Sequence, residues 1–327
     1  TKHIAEEDAF VNNISSAKDE DKPEIAQTIA NRLIFIKFLQ SKGIIQEDIL
    51  AELADLEQSE LNRKMKELFF QVMNKPEDDR MNTSEEFEDI PYLNGSLFKR
   101  NDAEDRNVDY QVKYDILHNF IEFLDRFAFV NEESLEEKEA IDPKILGYIF
   151  ERAMTDAERK STGAYYTPRA VTQYIAENTV YPNIVEKANE YLEEEHGYQE
   201  NTYDSIDELI RNCPHLWDVR QKVLIEDFTV VDPACGSGAF LLAVANILWD
   251  VHKRIGERTG TDQSNNDAWL KKEILKHNIY GVDINHNATE IARLRLWLWL
   301  VDSFNRSNLE ALPNIDYKIV SGNSITG

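Results

Sequence analysis

The chain is poor in cysteine, in long apolar runs and in basic residues. These features are typical of disulfide-rich secreted proteins, membrane-spanning proteins and nucleic-acid-binding proteins, respectively. Only two of its 327 residues are cysteines, Cys213 and Cys235, and these are too few for a disulfide framework or a paired metal knuckle. No apolar stretch approaches the roughly 20 residues of a membrane-spanning helix. The strongest, residues 291–301, is interrupted by Arg293 and Arg295. We therefore expect a cytoplasmic protein with reduced thiols, no membrane partner and no bound metal.

Positive charge is also scarce. The chain has 36 Lys and Arg residues against 61 Asp and Glu residues, for a formal net charge of −25. Because contacts to phosphate need basic side chains, this balance argues against broad nonspecific binding of nucleic acid by these residues. Such acidity is also typical of salt adaptation or of high solubility. Thr1 is not Met and does not start a basic-then-apolar leader, so we expect a processed or excised piece of a longer protein.

Hydrophobic spacing predicts two domains. Residues 1–140 are predicted to form a mostly helical N-terminal domain, with helices over 25–39, 61–73 and 114–127. Residues 141–327 form the second predicted domain, in which helices over 170–180 and 184–195 precede a polar stretch, 197–216, that we interpret as an insertion. From Val219 onward helices and strands alternate, which predicts an α/β fold with a parallel sheet covered by helices. The predicted strands are 228–232, 279–283 and 317–320, and the helices between them include 239–255 and 287–302.

The most informative segment is Asp-Pro-Ala-Cys-Gly-Ser-Gly at residues 232–238. It lies between a short apolar run and a helical one, a pattern that predicts the strand, glycine turn and helix of a nucleotide-binding sheet. Its glycines allow positive φ and a close approach of ligand to backbone. Asp232 ends the strand, whereas in a dinucleotide fingerprint the glycines follow the strand directly. A carboxylate at this position attracts an amine and repels a phosphate. An adenosine cofactor with an amino-acid tail therefore fits better than a dinucleotide. The alternative is a chance Gly-Ser-Gly turn.

Two further segments carry candidate binding residues. Asp283 ends the predicted strand 279–283 and could accept hydrogen bonds from both hydroxyls of a ribose, although it could instead cap the helix that follows. It lies 51 residues after Asp232 (283 − 232) rather than the usual distance of about 20, so the crossover must hold an extra segment. The segment Gly-Ala-Tyr-Tyr-Thr-Pro at 163–168 could wrap a ligand at a helix start. Alternatively, Thr167 is only an N-cap with Pro168 at the first helical position.

These segments resemble the motifs of the S-adenosylmethionine-dependent N6-adenine DNA methyltransferases. Residues 232–240 resemble motif I, residues 163–168 motif X, residues 281–284 motif II and residues 321–324 motif III. Motif X before motif I is the order of the gamma group. The helical segments 32–40, 91–98 and 146–151 are similar to parts of large single-chain type IIG restriction-modification enzymes and their phage-defence relatives. The resemblance implies a partial Rossmann-like sheet that binds S-adenosylmethionine, preceded by a helical domain.

The resemblance also implies a role for each motif residue. Asp232 would hold the methionine amino group, and the turn backbone would line the methionine tail. Asp283 would take the ribose hydroxyls, Ile284 would pack on the adenine and Asn323 would hydrogen-bond the adenine edge. The motif X residues would close over the methionine end, with the Thr167 hydroxyl on the carboxylate. The full set is Gly163, Ala164, Tyr165, Tyr166, Thr167, Pro168, Asp232, Ala234, Cys235, Gly236, Ser237, Gly238, Asp283, Ile284, Asn323 and Ser324.

The catalytic tetrapeptide of this family, Asn/Asp-Pro-Pro-Tyr/Phe, is absent from the 327 residues. In the family its aromatic ring stacks on a flipped-out base, and it follows motif III. We therefore expect these residues to bind cofactor without completing catalysis, while the intact enzyme methylates adenine N6 in double-stranded DNA. The presence of an endonuclease in the intact enzyme is left open. Two alternatives stay open: methylation of RNA or of a protein glutamine, and a nonenzymatic interaction module of a defence complex.

Overall fold

The computed structural model describes residues 10–46, 48–81, 83–93, 96–128, 139–140, 167–199, 202–261, 267–305 and 308–326. The chain divides into two compact units. The first comprises residues 1–161 and 297–314, and the second comprises residues 162–296 and 315–327. Among the described residues, no helix is both long and apolar enough to cross a membrane.

The first unit is mainly helical, as the apolar spacing predicted. Strands β1 and β2 pair antiparallel with Ile14 opposite Val112, and β3 and β4 pair parallel. A π-helical turn, Leu68–Met73, extends α3. The elements are β1 (Ile14–Ser15), α1 (Lys22–Ser41), α2 (Ile49–Ala54), α3 (Gln58–Glu67), α4 (Asp102–Arg106), β2 (Gln111–Val112), α5 (Tyr114–Asp125), β3 (Phe127–Ala128) and β4 (Glu139–Ala140).

A buried arginine organises the core of this unit. Arg32, on α1, is paired with Glu104 through two hydrogen bonds of 2.6 and 2.9 Å, and both side chains are fully buried. The same guanidinium donates to the carbonyls of Leu97, at 2.6 Å, and Lys99, at 2.8 Å. Tyr110 adds a third donor to the carboxylate, at 2.9 Å. Arg32 therefore joins two of the segments that carry the family resemblance, 32–40 and 91–98.

The second unit holds a three-stranded parallel sheet with helices around it. The strand order is β5-β6-β7, so the predicted parallel sheet is present. Glycine in the left-handed conformation ends α6, at Gly197, and α9, at Gly260. The elements are α6 (Arg169–His196), α7 (Ile206–Asn212), α8 (Leu216–Asp218) with its π-helical extension Val219–Asp227, β5 (Val230–Asp232), α9 (Ala239–Thr259), α10 (Asp267–His277), β6 (Ile279–Asp283), α11 (His286–Val301) and β7 (Ile319–Ser321).

One secondary-structure prediction in this unit was wrong. Residues 169–196 form a single helix that passes through Pro182, not two helices broken near residue 182. Proline removes one backbone donor from a helix interior. On either side of it, the side-chain amide of Asn178 donates to the Tyr174 carbonyl and that of Asn183 donates to the Thr179 carbonyl. Buried apolar residues continue on one face past the proline, and this packing keeps the helix whole.

Residues 202–216, the larger described part of the stretch 197–216, contain regular structure despite their polar composition. They include α7, whose N-cap Ser205 accepts from the Glu208 N–H at 3.2 Å. Ile206, Leu209 and Ile210 of this helix are buried. The prediction of a polar stretch missed this helix, because three apolar residues in a short segment carry too little periodic signal.

Candidate functional site

The carboxyl ends of the three parallel strands bring the predicted acids together. Asp232 is the last residue of β5 and pairs with Gly281 of β6, while Asp283 ends β6 and pairs with Ser321 of β7. In open parallel sheets, ligands bind at this edge, in the crevice outside the strand ends. Motifs I, II and III, which are far apart in the sequence, therefore meet at one edge of one sheet.

The glycine turn has the backbone that its sequence predicted. Gly236 has φ +50° and Gly238 has φ +82°, both in the left-handed region that favours glycine. The Gly238 N–H donates to the Cys235 carbonyl at 2.8 Å, which closes the turn. Gly238 is also the N-cap of α9, and no side chain caps that helix. The first N–H groups of α9 therefore point out of the turn and can take a negatively charged group.

Close packing behind the turn also requires glycine. A Cβ on Gly238 would lie 3.0 Å from Ala292 Cβ on α11. A Cβ on Gly281 would lie 2.8 Å from Leu241 Cδ1 and 3.0 Å from Cys235 Sγ. Gly281 thus lets the first turn of α9 rest directly on β6.

Asp283 connects the three motifs through its hydrogen bonds. One carboxylate oxygen accepts from the Gly236 N–H at 2.8 Å, and the other accepts from the Asn285 N–H at 2.8 Å. Its own carbonyl accepts from the Gly322 N–H at 2.9 Å. Asn285 accepts from the Ala288 N–H at 3.2 Å and so caps α11. The interpretation of Asp283 as the cap of that helix is therefore wrong.

Asp232 lies beside Asp283 in an environment that disfavours its charge. One of its carboxylate oxygens accepts from the Ala234 N–H at 3.0 Å. Burial, together with the nearby negative charge of Asp283, raises the pKa of Asp232. In the described part of the chain neither Asp232 nor Asp283 forms an ion pair with a basic side chain. A cation at this edge would therefore be stabilised by two carboxylates.

Cys235 lies under the same two acids. Burial, with the charges of Asp232 and Asp283, raises the pKa of the Cys235 thiol to about 12. A thiol held protonated is neither a nucleophile nor a metal ligand at neutral pH. Cys235 therefore serves the turn as a small buried side chain, with its N–H donating to Val282 at 2.9 Å.

The motif III residues lie on the open side of the turn. The Asn323 side-chain oxygen accepts from the N–H groups of Ile325 and Thr326 at 2.9 and 3.2 Å. Its amide N–H groups make no hydrogen bond within the described part of the chain. Ser324 donates a hydrogen bond to the Pro233 carbonyl of the glycine turn. Ile284 keeps 64% of its surface exposed directly after Asp283, so an apolar face is available to a ligand at this edge.

The motif X segment is only partly described. Gly163, Ala164, Tyr165 and Tyr166 lie outside the described residues. Pro168 is the N-cap of α6, and its carbonyl accepts from Val171 and Thr172 at 2.9 and 3.1 Å. The alternative that made Thr167 the cap and Pro168 the first helical residue is therefore wrong by one position.

Two arginines within the apolar run 291–301, neither of them a predicted site residue, support the site. Arg295, on α11, is buried and donates to the Ser237 carbonyl at 2.6 Å and to the Ser237 hydroxyl at 3.3 Å. Arg293 donates twice to the Ile319 carbonyl of β7, at 2.9 and 2.7 Å. The available signal was the pair of charges within residues 291–301, since a charge in a buried stretch needs a partner.

Comparisons with known proteins show which families the chain is similar to. Residues 206–324 match a family described as "MmeI, DNA-methyltransferase domain", and residues 2–113 match a "Domain of unknown function (DUF7814)". The chain is 35% identical over 332 residues to the "Putative type II restriction enzyme and methyltransferase RM.MjaORFECS2P" of Methanocaldococcus jannaschii, covering 94% of this chain and 28% of that protein. It is 28% identical over 136 residues to the "Adenine-specific methyltransferase BrxX" of Escherichia coli, covering 39% of this chain and 10% of that protein.

A solved structure shares the fold. The type IIL restriction-modification enzyme MmeI, determined in complex with DNA, superposes with a TM-score of 0.62 at 21% identity, covering 92% of this chain and 37% of that chain. The chain thus spans between about a quarter and two fifths of the lengths of the relatives that it matches over most of its own length.

Proposed function

Because this chain is a homologue of type II restriction-methyltransferases and adenine-specific methyltransferases, we propose that its second unit is a Rossmann-like domain that binds S-adenosylmethionine. In a protein of the relatives' full length, this domain supports methyl transfer to N6 of adenine in double-stranded DNA. The DNA and adenine parts of the proposal rest on the relatives, and the cofactor part rests on the site itself.

The observation that carries the cofactor proposal is the pair of carboxylates around the glycine turn. S-adenosylmethionine brings an ammonium and a sulfonium, which Asp232 and Asp283 attract. A pyrophosphate placed about 4 Å from either acid would instead be repelled by about 4 kcal/mol for each pair of charges at the dielectric of a protein surface. The edge therefore favours a cationic adenosine cofactor over a dinucleotide.

Each part of the cofactor has a matching group in the described residues. Asp232 takes the ammonium, and the uncapped first turn of α9 takes the carboxylate. Each oxygen of Asp283 has one acceptor site occupied by a backbone N–H and another that can accept a ribose hydroxyl. The exposed Ile284 packs on the adenine, whose edge accepts a hydrogen bond from the Asn323 amide. Bound, the cofactor supplies the electrophilic methyl group; the protein residues bind and orient it.

Calorimetric titration of the 327-residue chain with S-adenosylmethionine tests the cofactor proposal. We expect saturable binding, and binding of NAD that is at least tenfold weaker. Asp232→Asn and Asp283→Asn should each weaken S-adenosylmethionine about 10- to 100-fold, because each removes a hydrogen bond to a charged acceptor. Asp207→Asn is the matched control, since Asp207 is an exposed acid of the same unit that pairs with Arg254. Equal affinity for the two cofactors, or equal loss with all three variants, would contradict the proposal.

The DNA part is tested with a protein of the relatives' length. Transfer of a labelled methyl group to duplex DNA, followed by nucleoside analysis, should yield N6-methyladenine with the unaltered protein and none with its Asp283→Ala variant. Methyl label in RNA or protein, with none in DNA, would refute the DNA substrate. It would not contradict the proposed S-adenosylmethionine site.

A further inference from the structure

A cluster of metal-ligating side chains lies in the second unit, apart from the glycine turn. It consists of His196, His215 and Asp218, and we call it the His-His-Asp cluster. His196 is the last residue of α6, and Gly197, with φ +68°, turns the chain away after it. His215 precedes α8 and Asp218 ends it, so these two share one face of a helical turn. The sequence predicted no metal ligand, and none of these three residues is a predicted site residue.

The three donor atoms converge. His196 Nε2 lies 3.7 Å from Asp218 Oδ2, and His215 Nδ1 lies 3.7 Å from the same oxygen. All three atoms lie within 4.8 Å of one another. Two ligands of one tetrahedral zinc ion are about 3.3 Å apart, given metal–ligand distances of about 2.0–2.1 Å. Each nitrogen–carboxylate separation therefore exceeds this value by a few tenths of an ångström, whereas the two imidazoles must also reorient toward a shared ion.

One ligand atom of the cluster, a histidine nitrogen, has no hydrogen-bond partner among the described residues. His196 Nε2 is shielded from solvent and has no hydrogen-bond partner in the part of the chain that the structure describes. A buried polar atom without a partner costs free energy unless a ligand or ion satisfies it. The Asp218 carboxylate lies 3.7 Å from His196 Nε2. Negative charge at this point favours a cation.

We propose that the His-His-Asp cluster binds a divalent transition metal, and Zn²⁺ in particular. Two imidazoles and one carboxylate suit Zn²⁺ better than the hard cations Mg²⁺ and Ca²⁺, which prefer oxygen ligands. Three protein ligands leave the fourth tetrahedral position to water. The metal joins the end of α6 to α8.

Binding requires a visible rearrangement of the two imidazoles. Their rings are stacked, with centroids 3.8 Å apart and an interplanar angle of 23°. A ring nitrogen binds metal in the plane of its ring, so two stacked rings cannot both point at one ion. Zn²⁺ therefore rotates one imidazole out of the stack, which changes the ring-proton resonances of His196 and His215 in NMR spectra.

The test uses the 327-residue chain after treatment with a chelator. Calorimetric titration with Zn²⁺ should show one site, and Co²⁺ should give visible absorption bands of a tetrahedral complex. Thermal unfolding should shift upward by roughly 5–10 °C at a Zn²⁺ concentration 100 times Kd. His196→Ala, His215→Ala and Asp218→Asn should each weaken Zn²⁺ at least 100-fold, since even the loss of an outer partner costs 10- to 100-fold.

The matched control is His277→Ala. His277 Nε2 lies 3.3 Å from Glu273 Oε2, so this variant removes a histidine–carboxylate pair that has no third ligand among the described residues. It should bind Zn²⁺ like the unaltered chain. The proposal is overturned if His196→Ala and Asp218→Asn retain the unaltered affinity, or if the unaltered chain binds no Zn²⁺ at 100 times its own concentration. Should His196→Ala fail to fold by circular dichroism, Asp218→Asn decides, because it preserves the shape of the side chain.

Discussion

Replacing Gly281 with alanine tests the close packing of the glycine turn on β6. In the structure, the added methyl carbon lies 2.8 Å from Leu241 Cδ1, 3.0 Å from Cys235 Sγ and 3.1 Å from Cys235 Cβ. Ordinary contacts between carbon atoms lie near 3.5–4.0 Å. The Leu241 methyl can rotate away, but Cys235 Cβ is attached to the turn and can move only with its backbone.

The expected cost follows from these contacts. Overpacking a filled core by one methyl group destabilises the folded state by a net of about 1–3 kcal/mol. We expect a net destabilisation of about 2 kcal/mol, or a roughly 30-fold lower ratio of folded to unfolded molecules for the second unit. Adding Cys235→Ala removes the sulfur contact, so the double variant should recover about 1 kcal/mol relative to the sum of the two single variants.

Hydrogen exchange measured by mass spectrometry is the suitable assay, because a chain with two units need not unfold in one step. Peptides from β5, the turn and α9 should exchange about 30-fold faster in Gly281→Ala, whereas peptides from α1 should be unchanged. Gly322→Ala is the control, since a Cβ at Gly322 meets nothing within 4 Å. Equal protection of the turn in the two glycine variants would refute the packing argument.

Three other predictions concern buried polar groups. Glu104→Gln leaves the Arg32 guanidinium without its carboxylate and should lower the free energy of unfolding by about 3–5 kcal/mol in urea titrations at pH 7. Burial alone would raise the pKa of Glu104, but Arg32 holds it below its ordinary value of 4.5. The carboxylate's contribution is therefore complete above the unfolded pKa, and the gap between variant and unaltered chain should shrink as the pH falls through the folded pKa. Arg295→Met should cost about 1–3 kcal/mol, because the Ser237 carbonyl loses its donor, and faster exchange near residue 237 would report it. Since the thiol pKa of Cys235 rises from 9.0 to about 12, its alkylation at pH 8 should be about 1000-fold slower in the folded chain than in urea, and equal rates would contradict this prediction.

The sequence supported the prediction of the sheet because each strand and helix there has a strong local signal. Apolar runs of strand length ended in Asp232 and Asp283, and glycines marked the turn at positions where the backbone needs positive φ. The predicted strand 279–283 has the observed bounds. The domain boundary at residue 140 and the cofactor roles of the motif residues stay predictions.

Other features could not be predicted because they depend on residues distant in sequence. Pro182 marked a helix end by local rules, but burial of one face of α6 outweighed them. Arg295 looked like an interruption of an apolar run until Ser237, 58 residues away, was brought beside it. His196 and His215 lie in separate segments, so the sequence contained no indication of a shared metal site. Folding brings their rings into contact.

The amino-acid sequence alone determined where strands end, where glycine must stand and which side chains carry charge, since these properties belong to single residues and short runs. Tertiary structure alone decided which groups meet. Parallel pairing set Asp283 against the Gly236 N–H, and contact with α9 and Cys235 made a side chain at Gly281 destabilising. The return of the chain after α6 put His196 beside His215 and Asp218. Hydrogen bonds and steric contacts act over a few ångströms of space, whatever the separation along the chain.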